Sequence, residues 1–225
     1  MRPMYGSRSE TYDAFLAIDQ NAYKEKIRFV EENIFVLRDL DAGAYFDMMV
    51  LYGEALFETG EYERQAKLAD HILEMSIARN IVMHRDQDVY YETLFKKAAS
   101  LYNLDRLNEA VHILKELVKI NPDHEATKLF LINCFIQQKK AHIRPYRSMS
   151  LLLLLSSALV IGVELIVVQN HWPTWTAIVE MVRNGLFIAG VGLLVAGELI
   201  MRYQAVEDVY IFSKDTKKRK EEADV

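Results

Sequence analysis

Two long apolar stretches dominate the pattern of hydrophobic and polar positions along the chain. The first opens with five consecutive leucines at 151–155, and the second runs through 186–200. Each has roughly 20 residues, the length that an α-helix needs to cross a hydrocarbon core of about 30 Å. A polar break at 169–173 separates them. The pattern therefore predicts a transmembrane helical hairpin over residues 149–203.

The chain before these stretches has the pattern of amphipathic helices. Apolar residues such as Tyr23, Ile27, Val30 and Ile34 recur at spacings of three and four, and no strand-like alternation is sustained. We therefore predict an all-α fold with a helical domain at 1–140. A basic linker at 141–148, the hairpin at 149–203 and an extension with a basic tail at 204–225 complete the chain. The extension is expected to be helical to residue 212 and the charged tail disordered.

Two segments repeat a helix–turn–helix pattern, at 45–77 and 94–118. Their turns lie at 59–61 and 103–105, and a third first helix is expected to begin at Glu125. Small residues occupy matching places, with Gly53 in the first segment and Ala98 and Ala110 in the second, and Pro122 closes the second. These features resemble tetratricopeptide repeats, in which small residues let antiparallel helices approach closely.

The spacing of the repeats departs from that family. The turn residues Gly60 and Asp105 lie 45 positions apart, whereas the repeat length of the family is about 34. The difference is about three helical turns, so we expect longer helices to absorb it without rotating the apolar face.

The resemblance implies a concave groove lined by the first helix of each pair, which would bind a protein partner. Glu54 and Glu58 would stand at one edge of this groove. Its predicted lining residues are Val50, Leu51, Phe57, Phe95, Lys96, Tyr102, Leu129, Phe130 and Ile136. A mostly apolar groove suits the apolar face of a helix. That helix belongs either to a partner or to this chain's own segment 12–18.

The basic residues predict how the hairpin is oriented. Four Lys and Arg residues precede the first stretch, six follow from Arg202 onward, and the loop at 169–176 has none. Because Lys and Arg concentrate on the cytoplasmic side of membranes, both termini are expected in the cytoplasm and the loop on the other side. Trp172 and Trp175 in the loop suit the headgroup region. The lipid bilayer is thus an expected partner of this two-span protein.

Charged residues within the apolar stretches predict specific pairs. Glu164 and Arg183 would lie at similar depths in an antiparallel hairpin, and an unpaired charge there costs on the order of 3 kcal/mol. We therefore predict an ion pair between them, with Glu180 as the alternative partner of Arg183. In a second interpretation, 174–184 lies on the membrane surface and keeps its charges in water. Glu198, four residues before Arg202, is expected to pair with it along the helix.

A row of small residues marks one face of the second stretch. It comprises Gly185, Ala189, Gly192 and Ala196, whose spacing of three to four permits close helix contact. Either the first stretch or a second copy of the chain, in a homo-oligomer, could occupy this face.

Composition argues against several functional classes. Residues 1–140 carry 18 Lys and Arg against 23 Asp and Glu, so no nucleic-acid partner is expected. The six His residues and Cys134 show no metal-ligand spacing, and no cofactor is expected. Two Arg/His spacings, Arg79 with His84 and Arg106 with His112, are similar to the motif of HEPN ribonucleases, but such matches arise readily by chance.

The sequence therefore favours a non-enzymatic, membrane-anchored adaptor that holds a partner's helix or peptide at the cytoplasmic membrane face. The alternative is a subunit of an oligomeric membrane assembly or pore, with the hairpin as its working part. A HEPN-like ribonuclease is a minor alternative.

Overall fold

A computed structural model describes residues 8–37, 39–168 and 176–223, and these form an all-α fold, as predicted. Two-residue strands β1 (Met83–His84) and β2 (Gln87–Asp88) make one small hairpin. A π-helical turn, Glu164–Val168, extends the eighth helix. The loop tryptophans predicted at the headgroup region lie outside the described residues. The helices are α1 (Arg8–Leu16), α2 (Tyr23–Glu32), α3 (Ile34–Leu37), α4 (Ala42–Glu58), α5 (Tyr62–Ala78), α6 (Val89–Asn103), α7 (Leu107–Ile120), α8 (Glu125–Val163) and α9 (Thr176–Ala223).

The chain divides into two compact units, Met1–Thr127 and Lys128–Val225. Helix α8 begins at Glu125, where a helix was expected, and continues without a break through 141–148. That stretch is therefore part of one long helix, whereas the sequence suggested a separate linker. The compact units divide after Thr127, earlier in the chain than residue 140.

In the first unit, helices that are neighbours along the chain pack on one another, from α2 through α4, α5 and α6 to α7. The short turns between α4 and α5 and between α6 and α7 make each pair antiparallel. Their core includes Phe15, Val30, Leu37, Phe46 and Met48. Apolar segment 12–18 is thus part of the core of the first unit, through the fully buried Phe15.

Three helices of the first unit, α4, α5 and α6, end in the same local structure. After each helix comes a residue with a left-handed backbone, Gly60 (φ 83°), Asn80 (φ 54°) or Asp105 (φ 60°). The next residue donates its N–H to the carbonyl five residues earlier, at 2.8 to 2.9 Å. This is the Schellman ending, which satisfies carbonyls that a helix end leaves without partners. Because this ending follows both α4 and α6, the two turns predicted at 59–61 and 103–105 have the same geometry.

Part of the added length is the β-hairpin at 83–88, which the expectation of longer helices did not include. Helices α4 and α5 have 17 residues each, α6 has 15 and α7 has 14. The insertion lies between α5 and α6, and its turn residues Arg85 (φ 51°) and Asp86 (φ 63°) both have left-handed backbones. Such a pair makes the tight turn that suits the twist of two short strands.

The second unit is a helical hairpin with α8 and α9 antiparallel. Ser150 Oγ donates to the carbonyl of Gly190 at 2.6 Å, and Ser157 Oγ donates to the carbonyl of Arg183 at 3.2 Å. A Cβ atom at Gly190 would stand 3.0 Å from Leu154 Cγ, closer than most Cβ contacts, so a larger residue there would force Leu154 to shift. Helices α8 and α9 are thus in close contact at Gly190, a residue that the sequence interpretation did not single out.

The four small residues predicted for helix packing do not make the contact between α8 and α9. Gly185, Ala189, Gly192 and Ala196 are all exposed, and a Cβ atom at either glycine would meet nothing within 4 Å among the described atoms. They lie on another face of α9 from Gly190. Of the two occupants considered for this face, the first apolar stretch is therefore excluded.

Helix α9 continues to Ala223, so the disorder expected for the charged tail was wrong. Thr216 Oγ1 donates to the carbonyl of Phe212 at 2.8 Å, and Lys218 lies 3.7 Å from Glu222 one turn later. Lys, Arg and Glu are good helix formers, and such pairs support an exposed helix.

Candidate functional site

The first unit holds a small pocket between α4, α5, α6 and the β-hairpin, with a volume of about 50 Å³. Helix α4 brings Val50, Gly53 and Glu54 to it, and α6 brings Glu92, Thr93 and Lys96. Gln65 and Ile72 of α5, His84 and Gln87 of the hairpin, and Val89 complete the lining. The pocket is therefore lined by both polar and apolar side chains, and the hairpin forms one of its walls.

Charge in this pocket is mixed, with an excess of carboxylates. Lys96 Nζ lies 3.3 Å from Glu54 Oε1, which links α6 to α4, and Glu92 adds a second carboxylate. Below them Ser100 Oγ donates to Gln65 Oε1 at 2.6 Å, and both side chains are buried. One ammonium facing two carboxylates leaves a net negative charge, which favours a basic or hydrogen-bond-donating group.

Gly53 lies where α4 and α5 pack on each other at this pocket. A Cβ atom there would stand 3.4 Å from Ile72 Cδ1 and 3.5 Å from Leu68 Cδ2. The glycine is buried at the crossing of the two helices, where the tetratricopeptide resemblance places a small residue. Ala98 and Ala110, the matching small residues of the second pair, are also fully buried.

The β-hairpin is held by a buried carboxylate, Asp47 of α4, which is 6% exposed. Arg85 Nη2 lies 2.9 and 3.0 Å from its two oxygens, and Tyr12 donates its hydroxyl to Oδ2 at 2.9 Å. Asp47 thus joins the hairpin and α1 to α4. Burial, reinforced by this hydrogen bond to a carboxylate, raises the pKa of Tyr12 to about 12.

His84 also contacts this cluster. Its Nε2 lies 2.8 Å from Asp47 Oδ1, within ion-pair distance. The buried Nε2 makes no hydrogen bond within the part of the chain that the structure describes. The ring stands edge-on to Phe46, with centroids 5.5 Å apart. We attribute its placement to packing on Phe46 and to proximity to the carboxylate.

The structure brings only part of the predicted groove together. Val50 and Lys96 line the pocket, together with the predicted edge residue Glu54. Leu51 is 8% exposed and belongs to the core, because it lies on the face of α4 turned toward the other helices. Phe57 is half-buried and packs edge-on against Tyr62.

The other predicted groove residues lie on α6 and α8. Phe95 and Tyr102 are half-buried on α6. On α8, in the second unit, Leu129 is exposed while Phe130 and Ile136 are half-buried. Segment 12–18, considered as an occupant of the groove, supplies none of the described lining of the pocket.

Two of the four residues considered for catalysis, His84 and Arg106, have structural partners. Arg106 is bound by Glu109 at 2.7 Å and lies 3.6 Å from Glu63, while His84 lies in the Asp47 cluster. Among the described residues, no group of three His, Cys, Asp or Glu is placed to hold a metal ion. Burial raises the pKa of Cys134 to about 12, so its thiol stays protonated at neutral pH.

In the second unit, the charged residues of the apolar stretches form the predicted pairs. Arg183 Nη1 donates to Glu164 Oε2 at 2.8 Å, and Glu164 is 3% exposed. Arg202 Nε donates to Glu198 Oε1 at 3.1 Å. Arg147 of α8 also reaches Glu198, at 3.2 Å. Sequence spacing did not reveal this last contact, because it joins residues 51 positions apart.

No family model, curated protein or solved structure matches this chain.

The Asp47 cluster was also missed by sequence reasoning. Tyr12 and Arg85 lie 35 and 38 positions from Asp47, and no periodicity connects residues so far apart. The available signal was the polar run 84–88 between two helical patterns, which marks an inserted turn. A second signal was Asp47 itself, a charged residue in an otherwise apolar stretch of α4.

Proposed function

We propose that this protein is a membrane-anchored adaptor, with α8 and α9 as a two-span anchor and the first unit as a binding domain. The supporting observation is the surface of the two long helices. Both are long and apolar enough to cross a membrane, yet only 17% of the apolar window of the first and 11% of that of the second is buried within the protein. Soluble proteins seldom expose so much contiguous apolar surface to water, whereas a bilayer covers it.

The proposed orientation has both termini in the cytoplasm, supported by the distribution of Lys and Arg around the loop. Alkaline carbonate extraction should leave the protein in the membrane pellet. A membrane-impermeant maleimide applied to intact cells should label His171→Cys in the loop and spare Asp215→Cys in the tail. The native Cys134 is buried and serves as a silent background. The reverse labelling pattern would overturn the orientation.

The proposed binding domain is tetratricopeptide-like. Supporting features are the repeated helical pairs, the buried small residues at their crossings and the shared turn geometry. The proposed contact surface is the side of α4 and α6 around Val50, Glu54 and Lys96, where apolar and charged groups alternate. Such a surface suits an amphipathic helix or peptide of a partner, with its apolar side on Val50 and a basic group near Glu54 and Glu92.

Two variants test the adaptor function. Replacing 149–203 by an unrelated two-span anchor should preserve the partners that copurify with the detergent-solubilised complex. Glu54→Lys, which reverses the charge of a carboxylate proposed to face the partner's basic group, should lose them. The control Glu74→Lys, at an exposed position of α5, should not. Retention of every partner by Glu54→Lys would contradict the proposed surface.

A subunit of an oligomeric membrane assembly is the second candidate. The exposed row of small residues on α9 supports it, because such rows let membrane helices pack closely. In that case the anchor replacement itself should abolish function, whatever the effect of Glu54→Lys.

A further inference from the structure

Beyond residue 200, where its apolar stretch ends, helix α9 has two different faces. Met201, Ala205 and Val209 form a buried stripe at spacings of four residues. On the same part of the helix Asp208 pairs with Lys139 of α8 at 2.7 Å. This side of α9 is therefore used within the chain.

Large apolar side chains stand on a separate face. Leu199, Tyr203, Val206 and Tyr210 are 49 to 70% exposed. They follow one another at intervals of four, three and four residues, which is the a/d pattern of a coiled coil. The same alternation of four and three continues toward the start of the helix through the four exposed small residues. One unbroken heptad seam therefore runs from 185 to 210.

We propose that this seam is a dimer interface, and that its occupant is α9 of a second copy of the chain in parallel orientation. The inference rests on the proposed membrane anchor, because two copies inserted the same way have parallel α9 helices. Small residues would let the helices approach within the bilayer, and the larger ones would pack where the helix leaves it.

Charge complementarity supports a second copy as the occupant. In the heptad register, Arg202 takes position g and Glu207 takes position e of the next heptad. In a parallel two-stranded coiled coil these positions face each other across the interface. Arg202 of each copy would thus meet Glu207 of the other, giving two opposite-charge pairs by symmetry. Arg202 is 62% exposed while bonded to Glu198, so its guanidinium is accessible to a second carboxylate.

Cysteine cross-linking in native membranes tests the seam. Tyr203→Cys and Tyr210→Cys, both at position a, should each form an interchain disulfide on mild oxidation, because facing a residues come within the Cα separation that a disulfide requires. The matched control is Gln204→Cys, which is exposed but one position away from the seam. An antiparallel pair could not cross-link both Tyr203→Cys and Tyr210→Cys to themselves.

Charge exchange gives a second readout on the Tyr210→Cys background. Arg202→Glu and Glu207→Arg should each lower the cross-linked fraction, with dimerisation weakened by roughly tenfold. Combining the two restores opposite charges and should restore cross-linking. Misfolding of the single variants would not be repaired by their combination.

Three results would overturn the dimer: no cross-link at 203 and 210, equal cross-linking at 203 and 204, or no recovery in the combined variant. Carbonate extraction of the same membranes separates this failure from failure of the anchor. Protein released by carbonate overturns the anchor, whereas protein that stays in the pellet without cross-linking overturns the dimer alone.

Discussion

The two units of this protein each contain a buried carboxylate, and the two are stabilised differently. Asp47 in the first unit is contacted by Tyr12, His84 and Arg85, which come from α1 and the β-hairpin. Glu164 in the second unit pairs with Arg183 at 2.8 Å on the neighbouring helix. The Asp47 side chain is 9% exposed and that of Glu164 is 4%.

The difference shows what each environment demands of a buried charge. In the helical domain groups from two elements contact the carboxylate, and water can solvate Arg85 because its side chain is 50% exposed. In the apolar hairpin a single ion pair neutralises the carboxylate, and a bilayer around the proposed anchor would keep water away from both members. Loss of one partner should therefore matter more in the second unit than in the first.

The largest effect is expected from breaking the hairpin pair. Glu164→Ala leaves Arg183 without its carboxylate in an apolar environment, at a cost of about 3 kcal/mol in insertion free energy. A glycosylation-based insertion assay of the hairpin in microsomes measures it. Glu164→Ala combined with Arg183→Ala should recover most of the loss, since no charge then remains unpaired. Equal loss in the single and combined variants would contradict the pair.

Removing the carboxylate of the first unit should cost somewhat less. Asp47→Ala deprives Tyr12 and Arg85 of their acceptor, and we expect a loss of about 2 kcal/mol in the free energy of unfolding. Hydrogen exchange of the detergent-solubilised chain should show faster exchange in 83–88 and in α1. The control is Asp70→Ala, which removes an exposed partner of Lys97 and should cost under about 1 kcal/mol.

Because three side chains contact Asp47, removing one of them should lower the free energy of unfolding less than removing Asp47 itself. Arg85→Ala leaves Tyr12 and His84 on Asp47, so we expect a loss of about 1 kcal/mol. Exchange should accelerate in the hairpin and stay unchanged in α1. Should Arg85→Ala match Asp47→Ala in both segments, the contacts around Asp47 would be acting as a single unit.

Among the groups that contact Asp47, the smallest change at neutral pH is expected for Tyr12→Phe, at about 0.5 kcal/mol, but this variant predicts a pH dependence. The pKa of Tyr12 is raised from 10.0 to about 12, so the neutral phenol is favoured in the folded state. Its contribution is complete below pH 10 and is lost as the pH rises toward 12. Thermal melting between pH 9 and about 12 should thus show a steeper loss of stability for the wild type than for Tyr12→Phe.

Much of the fold follows from local patterns in the sequence. Spacings of three and four predicted the helices, and Gly60 and Asp105 predicted turns that the structure shares between two helical pairs. The Glu164–Arg183 pair was also predictable, because helix rise converts sequence position into depth along a hairpin.

What only the tertiary structure decided is which faces meet. Four small residues on α9 and Gly190 are equally suited to a close contact, and the sequence singled out the former. Helix rotation selected Gly190, because Leu154 and Ser150 of α8 lie opposite it.

The same holds for the site in the first unit. Sequence placed Val50 and Lys96 in a groove but could not assign Leu51, its neighbour, to the core. It left the insertion between α5 and α6 without a role, although Arg85 of that insertion binds Asp47. Periodicity is a property of a single helix, whereas a buried contact depends on the relative rotation and register of two elements, and these arise only when the whole unit packs.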